Sequence, residues 1–172
     1  MAIYRKLMIE SQQRGDAAEK RFFDLATAQG CECEIKNDFH HQTVAHIDII
    51  LKKGSKTFAI DVKAQKKASR TDAEVDDSVI WLEFNNVRGN IGWVYGQADF
   101  IAFENTDGFN LVCRPSLASW AEQNIDFDAP VKTSKEAYKR VYTRDGRKDL
   151  IAWVKFSDIK HLVKKKMLAP KT

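Results

Sequence analysis

The 172-residue chain has few cysteines: Cys31, Cys33 and Cys113. An odd number in no disulfide-like framework fits a reducing compartment, so the cytoplasm is the expected location. Long apolar runs are missing too. None approaches the ~20 residues of a membrane-spanning helix. The opening segment MAIYRKLMIESQQRG has no extended apolar stretch of the signal-peptide kind. No membrane partner is therefore expected. The glycine-rich phosphate cradles GxGxxG and GxxxxGK(S/T) are also lacking, which argues against a nucleotide cofactor of the Rossmann or P-loop type. There is no internal repeat and no low-complexity linker.

What is present suits a single domain over residues 1–172. Hydrophobic residues make up 44% and charged residues 30%, a balance that separates the chain from disordered sequences, and the length is enough for a real core. The net charge of +4 conceals an asymmetry. Residues 131–172 hold 13 Lys and Arg against 4 Asp and Glu, a local balance of +9 that leaves −5 on the first 130 residues. Such basic C-terminal elements suit contact with a polyanion. A solvated lysine-rich surface has the same composition.

The order of elements is α+β. Residues 10–29 predict a helix, with Glu19, Phe22, Phe23 and Ala26 on one stripe and Gly30 closing it. Strands are expected at 31–36, 45–51, 57–64 and 79–84, with 68–78 a loop or short helix between the last two. A hairpin at 98–104 and 109–114 turns at Asp107-Gly108. A helix to about residue 123 follows Pro115, with Ser116 as its N-cap. Residues 124–135 read as loop, 138–143 and 150–154 as a hairpin, and 156–166 as a last helix beginning near Ser157, followed by a mobile tail. The alternating CECEIK places Cys31, Cys33 and Ile35 inward. With His40 and His41 it fits no zinc-finger spacing, and these histidines read as loop residues near the site.

The chemistry gathers in AHIDIILKKGSKTFAIDVKAQKK, two strands joined by a Lys-Lys-Gly-Ser turn. An acid inside an apolar strand costs several kcal/mol unless paired, and Asp48 sits inside HIDIIL. On the next strand, period two puts Asp61 and Lys63 on one face, about 7 Å apart. Two carboxylates, the backbone carbonyl of Val62 and Glu19 on the facing helix form an oxygen set for a hard divalent ion, Mg²⁺ or Mn²⁺. The Lys63 ammonium can hold a water or offset phosphate charge. Without a metal, the same residues would form an Asp61–Lys63 pair on a solvated face, with Asp48 satisfied by a backbone amide.

At these residues, from Gly15-x-x-x-Glu19 through Asp48 to Asp61-Val62-Lys63, the chain resembles the PD-(D/E)XK nuclease superfamily. The resemblance spans about residues 10–104. It implies a restriction-endonuclease-like core, a central mixed sheet flanked by helices in an α/β/α layering and an αβββαβ order. It makes Asp48 and Asp61 metal ligands, Lys63 the catalytic lysine, Glu19 an auxiliary acid and Gln65 a further polar residue of the site. Ile47 stands where the motif's proline would be, and the second acid is Asp, not Glu. The implied activity is divalent-metal-dependent hydrolysis of DNA by an endonuclease, with a junction resolvase or an exonuclease as variants and a homodimer allowed. A nuclease-fold protein that binds nucleic acid without cutting it is the alternative. An unrelated α+β interaction module with structural acids is a third.

Two further segments carry residue types that contact nucleic acid. WLEFNNVRGNIGW offers Asn85, Asn86, Arg88 and Asn90. Trp93 or Tyr95 could stack on a base, Trp81 and Trp93 equally suit core packing, and Glu83 could approach the metal site. In the basic third, Arg144, Arg147 and Lys148 flank a tight Asp145-Gly146 turn, and for any single lysine there solvation is the plainer role.

Overall fold

The computed structural model describes residues 2–66 and 74–169. Most of the expected 68–78 loop, and the end of the tail, lie outside the described residues. Helix α1 runs from Ala2 to Ala28, well upstream of the expected start. Its C-terminal half carries the buried apolar stripe of Ala18, Phe22 and Ala26. Upstream, Lys6 and Glu10 form an i,i+4 pair at 4.0 Å of the kind that supports a helix.

The first sheet has the order β1-β2-β3-β5-β6-β10. Strands β1 (Glu32–Ile35), β2 (Ile49–Lys53) and β3 (Lys56–Lys63) form an antiparallel meander. Strand β5 (Phe100–Asn105) then pairs parallel to β3 and turns back into β6 (Gly108–Cys113). A second sheet has the order β4-β9-β8-β7, built from β4 (Val79–Asn85), β7 (Asp126–Val131), β8 (Arg140–Tyr142) and β9 (Leu150–Lys155). The molecule is thus α+β with two mixed sheets.

Each face of the first sheet is covered differently. Ala18, Phe22 and Ala26 of α1 pack on Ile49, Leu51, Ile60 and Val62, with Phe22 edge-on to Phe109 at 5.2 Å. The opposite face, including Ile101, Phe103 and Val112, packs against α2 (Arg114–Asn124) and the inner residues of the second sheet, Leu82, Phe84, Ala152 and Val154. A sheet therefore covers much of the face on which helices alone were expected. The β3-to-β5 crossover also departs from the αβββαβ order. Among its described residues it contains β4 and a single turn of 3-10 helix at Trp93–Tyr95, and no α-helix.

Other expectations are corrected locally. Strand β2 begins at Ile49, because His46 adopts a left-handed conformation (φ 52°) at the end of a π-helical turn, His40–Ala45. His40 and His41 are thus helical, and His41 binds Asp38. The inward alternation of β1 fades along this edge strand, with Cys31 buried and Ile35 exposed. Helix α2 begins at Arg114 with Pro115 in its first turn, so Ser116 is not its cap. Residues 126–131 form a strand; Pro130 is tolerated because β7 lies at a sheet edge.

The expected last helix is one turn long. Helix α3 (Phe156–Ile159) passes through a 3-10 turn into β10 (Val163–Leu168), which pairs antiparallel with β6. Phe156, Ile159, Leu162 and Val163 have helical spacing, whereas Lys164–Lys166 give no alternation. Exposed lysines on an edge strand discourage further pairing. The basic C-terminal elements are thus woven into both sheets. Among the described residues no helix is long and apolar enough to cross a membrane.

Candidate functional site

The β2–β3 register pairs Ile49 with Ile60 and so brings Asp48 beside Asp61. Asp48 is held on several sides: its N–H donates to the Ile60 carbonyl at 2.9 Å, and its own carbonyl accepts from Lys36 N–H at 2.7 Å. Its Oδ2 accepts from Val62 N–H at 2.7 Å. Val62 thereby anchors one acid while standing between the other acid and the lysine.

Asp61 is 1% exposed. Its Oδ1 accepts from Lys63 Nζ at 2.5 Å, and its Oδ2 is buried with no hydrogen-bond partner among the described residues. An unsatisfied buried carboxylate oxygen costs about 1–3 kcal/mol or more. Burial pushes the Asp61 carboxyl well above its ordinary range, Lys63 opposes the shift and Asp48 adds to it. For Lys63, burial works against the ammonium, but Asp61 and Asp48 outweigh it and hold its pKa above the usual lysine value. The Lys63 ammonium also lies 5.3 Å from the centre of the Trp93 ring, and Trp93 is a core residue.

Helix α1 contributes Glu19, which adjoins the buried Ala18. Its carboxyl is pushed up to about 7, first by burial, then by Asp48 and Asp16, with Lys63 opposing. A carboxyl near neutrality is poised to accept or release a proton. From the second sheet comes Glu83, raised by burial and drawn down by Lys63, His46 and Lys66. Lys63 thus contacts Asp61 and couples electrostatically with Glu19, Asp48 and Glu83, groups carried by α1, the first sheet and the second.

The residues that sequence reasoning missed are His46, Lys66 and Asp149. His46 hydrogen-bonds the Ile91 carbonyl through Nε2 at 2.9 Å. Lys66 is exposed as a residue, yet desolvation of its ammonium, followed by Lys63 and Arg14, lowers its pKa. Asp149, 2% exposed, precedes the apolar LIAWV as Asp48 precedes IIL, and that repeated pattern was the available signal.

Several expected site residues are placed elsewhere. The side chain of Gln65 binds Asp77, and its N–H donates to Glu104 Oε2 at 3.2 Å, so it does not join the acids. Asn86 builds a turn, its Oδ1 accepting from Arg88 N–H at 2.9 Å and Asn90 N–H at 3.1 Å. Asn85 is a strand residue paired with Leu150. Arg144 is bound to the buried Asp149, Nε to Oδ2 at 2.8 Å, and is not free to meet a phosphate. Arg88, Asn90, Arg147 and Lys148 are exposed.

The donor set suits a hard divalent cation. Asp48, just ahead of β2, and Asp61 on β3 supply neighbouring carboxylates, and Asp61 Oδ2, without a partner among the described residues, is an oxygen in want of a positive partner. Mg²⁺ commonly takes only one or two protein carboxylates and keeps several waters. Among the described residues no three His, Cys, Asp or Glu side chains close around one point. Known proteins offer no parallel: no protein-family model, curated protein or solved structure matches the chain.

Proposed function

We propose that the chain is a divalent-metal-dependent DNA endonuclease with a restriction-endonuclease-like core. One observation carries the reading above the rest. Asp61 is buried with Oδ2 unpartnered, beside Asp48 and in contact with Lys63. Asp149 also has a buried oxygen without a partner, so what sets Asp61 apart is the second carboxylate, Asp48, and the lysine gathered at its side. The β1–β2–β3 meander, the parallel β5 and α1 on one face support the core assignment.

In this reading Asp48 and Asp61 hold Mg²⁺ or Mn²⁺, with the Val62 carbonyl as a neutral oxygen and Glu19 as a further acid. When bound, such an ion supplies Lewis acidity toward the scissile phosphate and lowers the pKa of an attacking water. Lys63 donates from the same face, orienting the water or a phosphate oxygen and offsetting the negative charge that develops there. Val62 N–H keeps Asp48 in position, and Trp93 closes the apolar side of the Lys63 ammonium. Water attacks phosphorus, one P–O ester bond breaks, and the leaving oxygen takes up a proton.

The alternative, a nuclease-fold protein that binds DNA without cutting it, has one observation in its favour: Lys63 already occupies Asp61 Oδ1. Cleavage of supercoiled plasmid, linear duplex, single strand and four-way junction, each with Mg²⁺, Mn²⁺ or EDTA, separates the two. Metal-dependent cutting that disappears in Asp61→Ala is expected. Full cutting by Asp61→Ala or Lys63→Ala would sink the proposal.

A further inference from the structure

Two turns at one end of the second sheet pack on each other although they are far apart in sequence. The Lys148 N–H donates to the Val87 carbonyl at 3.3 Å. The aliphatic stem of Lys148 lies over Gly89, where an added Cβ would stand 3.0 Å from Lys148 Cδ. Both turns are braced. Asn86 closes the first through its side chain and through its N–H to the Asn90 carbonyl, 2.9 Å. The Arg144–Asp149 pair and the Arg147 N–H to Arg144 carbonyl bond, 3.1 Å, close the second.

This braced tip presents Arg88, Arg147 and Lys148, all exposed. Among the described residues none of the three lies within ion-pair distance of a carboxylate. Asp145, the acid of the second turn, is paired with Lys132 at 3.4 Å. Beside the cations, Val87 and Ile91 are 50% and 59% exposed. Exposed cations held on braced backbone, with apolar side chains beside them, present the charge and contact types that a polyanionic backbone takes. Strand β4 joins the tip to the acid cluster. Glu83 lies on β4 itself, about 10 Å along the strand from Asn86, and Asp149 acts on the Glu83 carboxyl.

We propose that the two turns form one clamp for the phosphate backbone of duplex DNA, resting on the nuclease reading above and holding the strand beside the cleavage centre. Arg88, Arg147 and Lys148 touch phosphates; Asn86 and Arg144 position them. The tip residues 86–90 and 144–149 include no aromatic side chain, so they lack the stacking platform that single-strand binders use. Backbone contact is what they can offer, with Val87 and Ile91 supplying apolar contact at a groove edge.

The test is fluorescence anisotropy with a labelled duplex in EDTA, across 50–200 mM salt, for the full chain, an Arg88→Ala/Arg147→Ala/Lys148→Ala variant and a Lys164→Ala/Lys165→Ala/Lys166→Ala control of equal charge loss. Each phosphate contact contributes about 0.9 to the slope of log K against log salt, so the clamp variant should flatten it by about 2–3 and bind about 100-fold more weakly at 0.1 M. The control on β10 should lose less than half as much. An unchanged slope in the clamp variant, an equal loss in the control, or tighter binding of single-stranded DNA or duplex RNA than of duplex DNA would overturn the clamp. Cleavage is scored separately with Mg²⁺. Failure of the wild-type chain to cut, with the slope still lost in the clamp variant, would overturn the nuclease reading and leave the clamp supported.

Discussion

Asp48 Oδ2 accepts a 2.7 Å hydrogen bond from the N–H of Val62, the residue between Asp61 and Lys63. One peptide unit thus ties together the three residues proposed for catalysis. The acid ahead of β2 cannot shift without disturbing the strand that carries the other acid and the lysine. This coupling requires the antiparallel register of β2 and β3, and hence the short Gly54-Ser55 turn, where Gly54 takes the left-handed φ of 59°.

The first prediction concerns Asp61 and sets activity against stability. Its charge is buried and one oxygen is unpartnered, so the side chain is held at a cost to the fold. Asp61→Asn removes that buried charge while preserving shape. Cleavage should fall by about 10²-fold or more, while the thermal midpoint is unchanged or rises. Plasmid nicking and a thermal melt on the same preparation check it. A large drop in midpoint would mean that Asp61 is structural and that its pair with Lys63 is what the fold needs.

Glu19 gives the molecule a pH dependence. The folded carboxyl titrates near 7 against about 4.5 in the unfolded chain. Below 4.5 both states hold the proton. Between 4.5 and 7 the folded state keeps a proton that the unfolded state has released, so stability falls as pH rises through this window and levels off above it. Partial exposure reduces the effect to about 1–2 kcal/mol. Without metal, the midpoint should decline from pH 5 to 7.5. Glu19→Gln should flatten that decline and raise the midpoint at pH 8. Added Mg²⁺ should stabilise the wild-type chain more at pH 8 than at pH 5, because protonated acids bind it poorly. A slope unaffected by Glu19→Gln would remove Glu19 from the cluster.

The parts legible in the sequence were those governed by local rules. Asp48, Asp61 and Lys63 stand on a hairpin because a glycine turn and alternation specify it, and the Phe100–Asn105 and Gly108–Cys113 hairpin was readable for the same reason. Sheet membership was not readable. VIWLEF has the same pattern whichever sheet it joins, and only the packing of Leu82 and Phe84 with Ala152 and Val154 places it in the second. Residues 156–166 misled because Phe156, Ile159, Leu162 and Val163 fit a helical face. Pairing with β6 overrode that local preference. The proposed contact residues divided otherwise: Asn86 and Arg144 are the right types for nucleic acid, but short-range contacts within their own turns, to Arg88, Asn90 and Asp149, engage them within the protein.

Arg144 and Arg147 should therefore behave in opposite ways. Arg144→Ala strands the buried Asp149, whose Oδ1 already lacks a partner, and should cost about 3 kcal/mol. Arg147→Ala removes an exposed cation with no ion pair among the described residues and should change stability by less than about 0.5 kcal/mol while weakening DNA binding. Urea unfolding measures the first effect and anisotropy the second. In an Arg144→Ala/Asp149→Asn double variant much of the lost stability should return, since the stranded charge is the main penalty. Equal, small effects from both single variants would mean that Asp149 is not buried in solution.

Gly92 provides the last prediction, because it fixes both Glu83 and Trp93 relative to Lys63. An added Cβ there would lie 2.3 Å from the Glu83 carbonyl oxygen and 2.8 Å from the Phe84 carbonyl carbon, both backbone atoms of β4. The Gly92 N–H also donates to the Phe84 carbonyl at 2.7 Å. Gly92→Ala must therefore push the turn that begins at Trp93 away from β4, moving the Trp93 ring off the Lys63 ammonium. Overpacking of this kind costs about 1–3 kcal/mol, so the thermal midpoint should fall. Cleavage measured well below that midpoint should fall as well, because Lys63 loses the wall that holds its ammonium in place. Trp93→Phe distinguishes the two effects: it keeps a core aromatic and a ring for Lys63 while leaving the β4 backbone alone. It should retain most of the activity that Gly92→Ala loses. If Trp93→Phe were as inactive as Gly92→Ala at equal folded fraction, the indole itself, and not the backbone approach at Gly92, would be what positions Lys63.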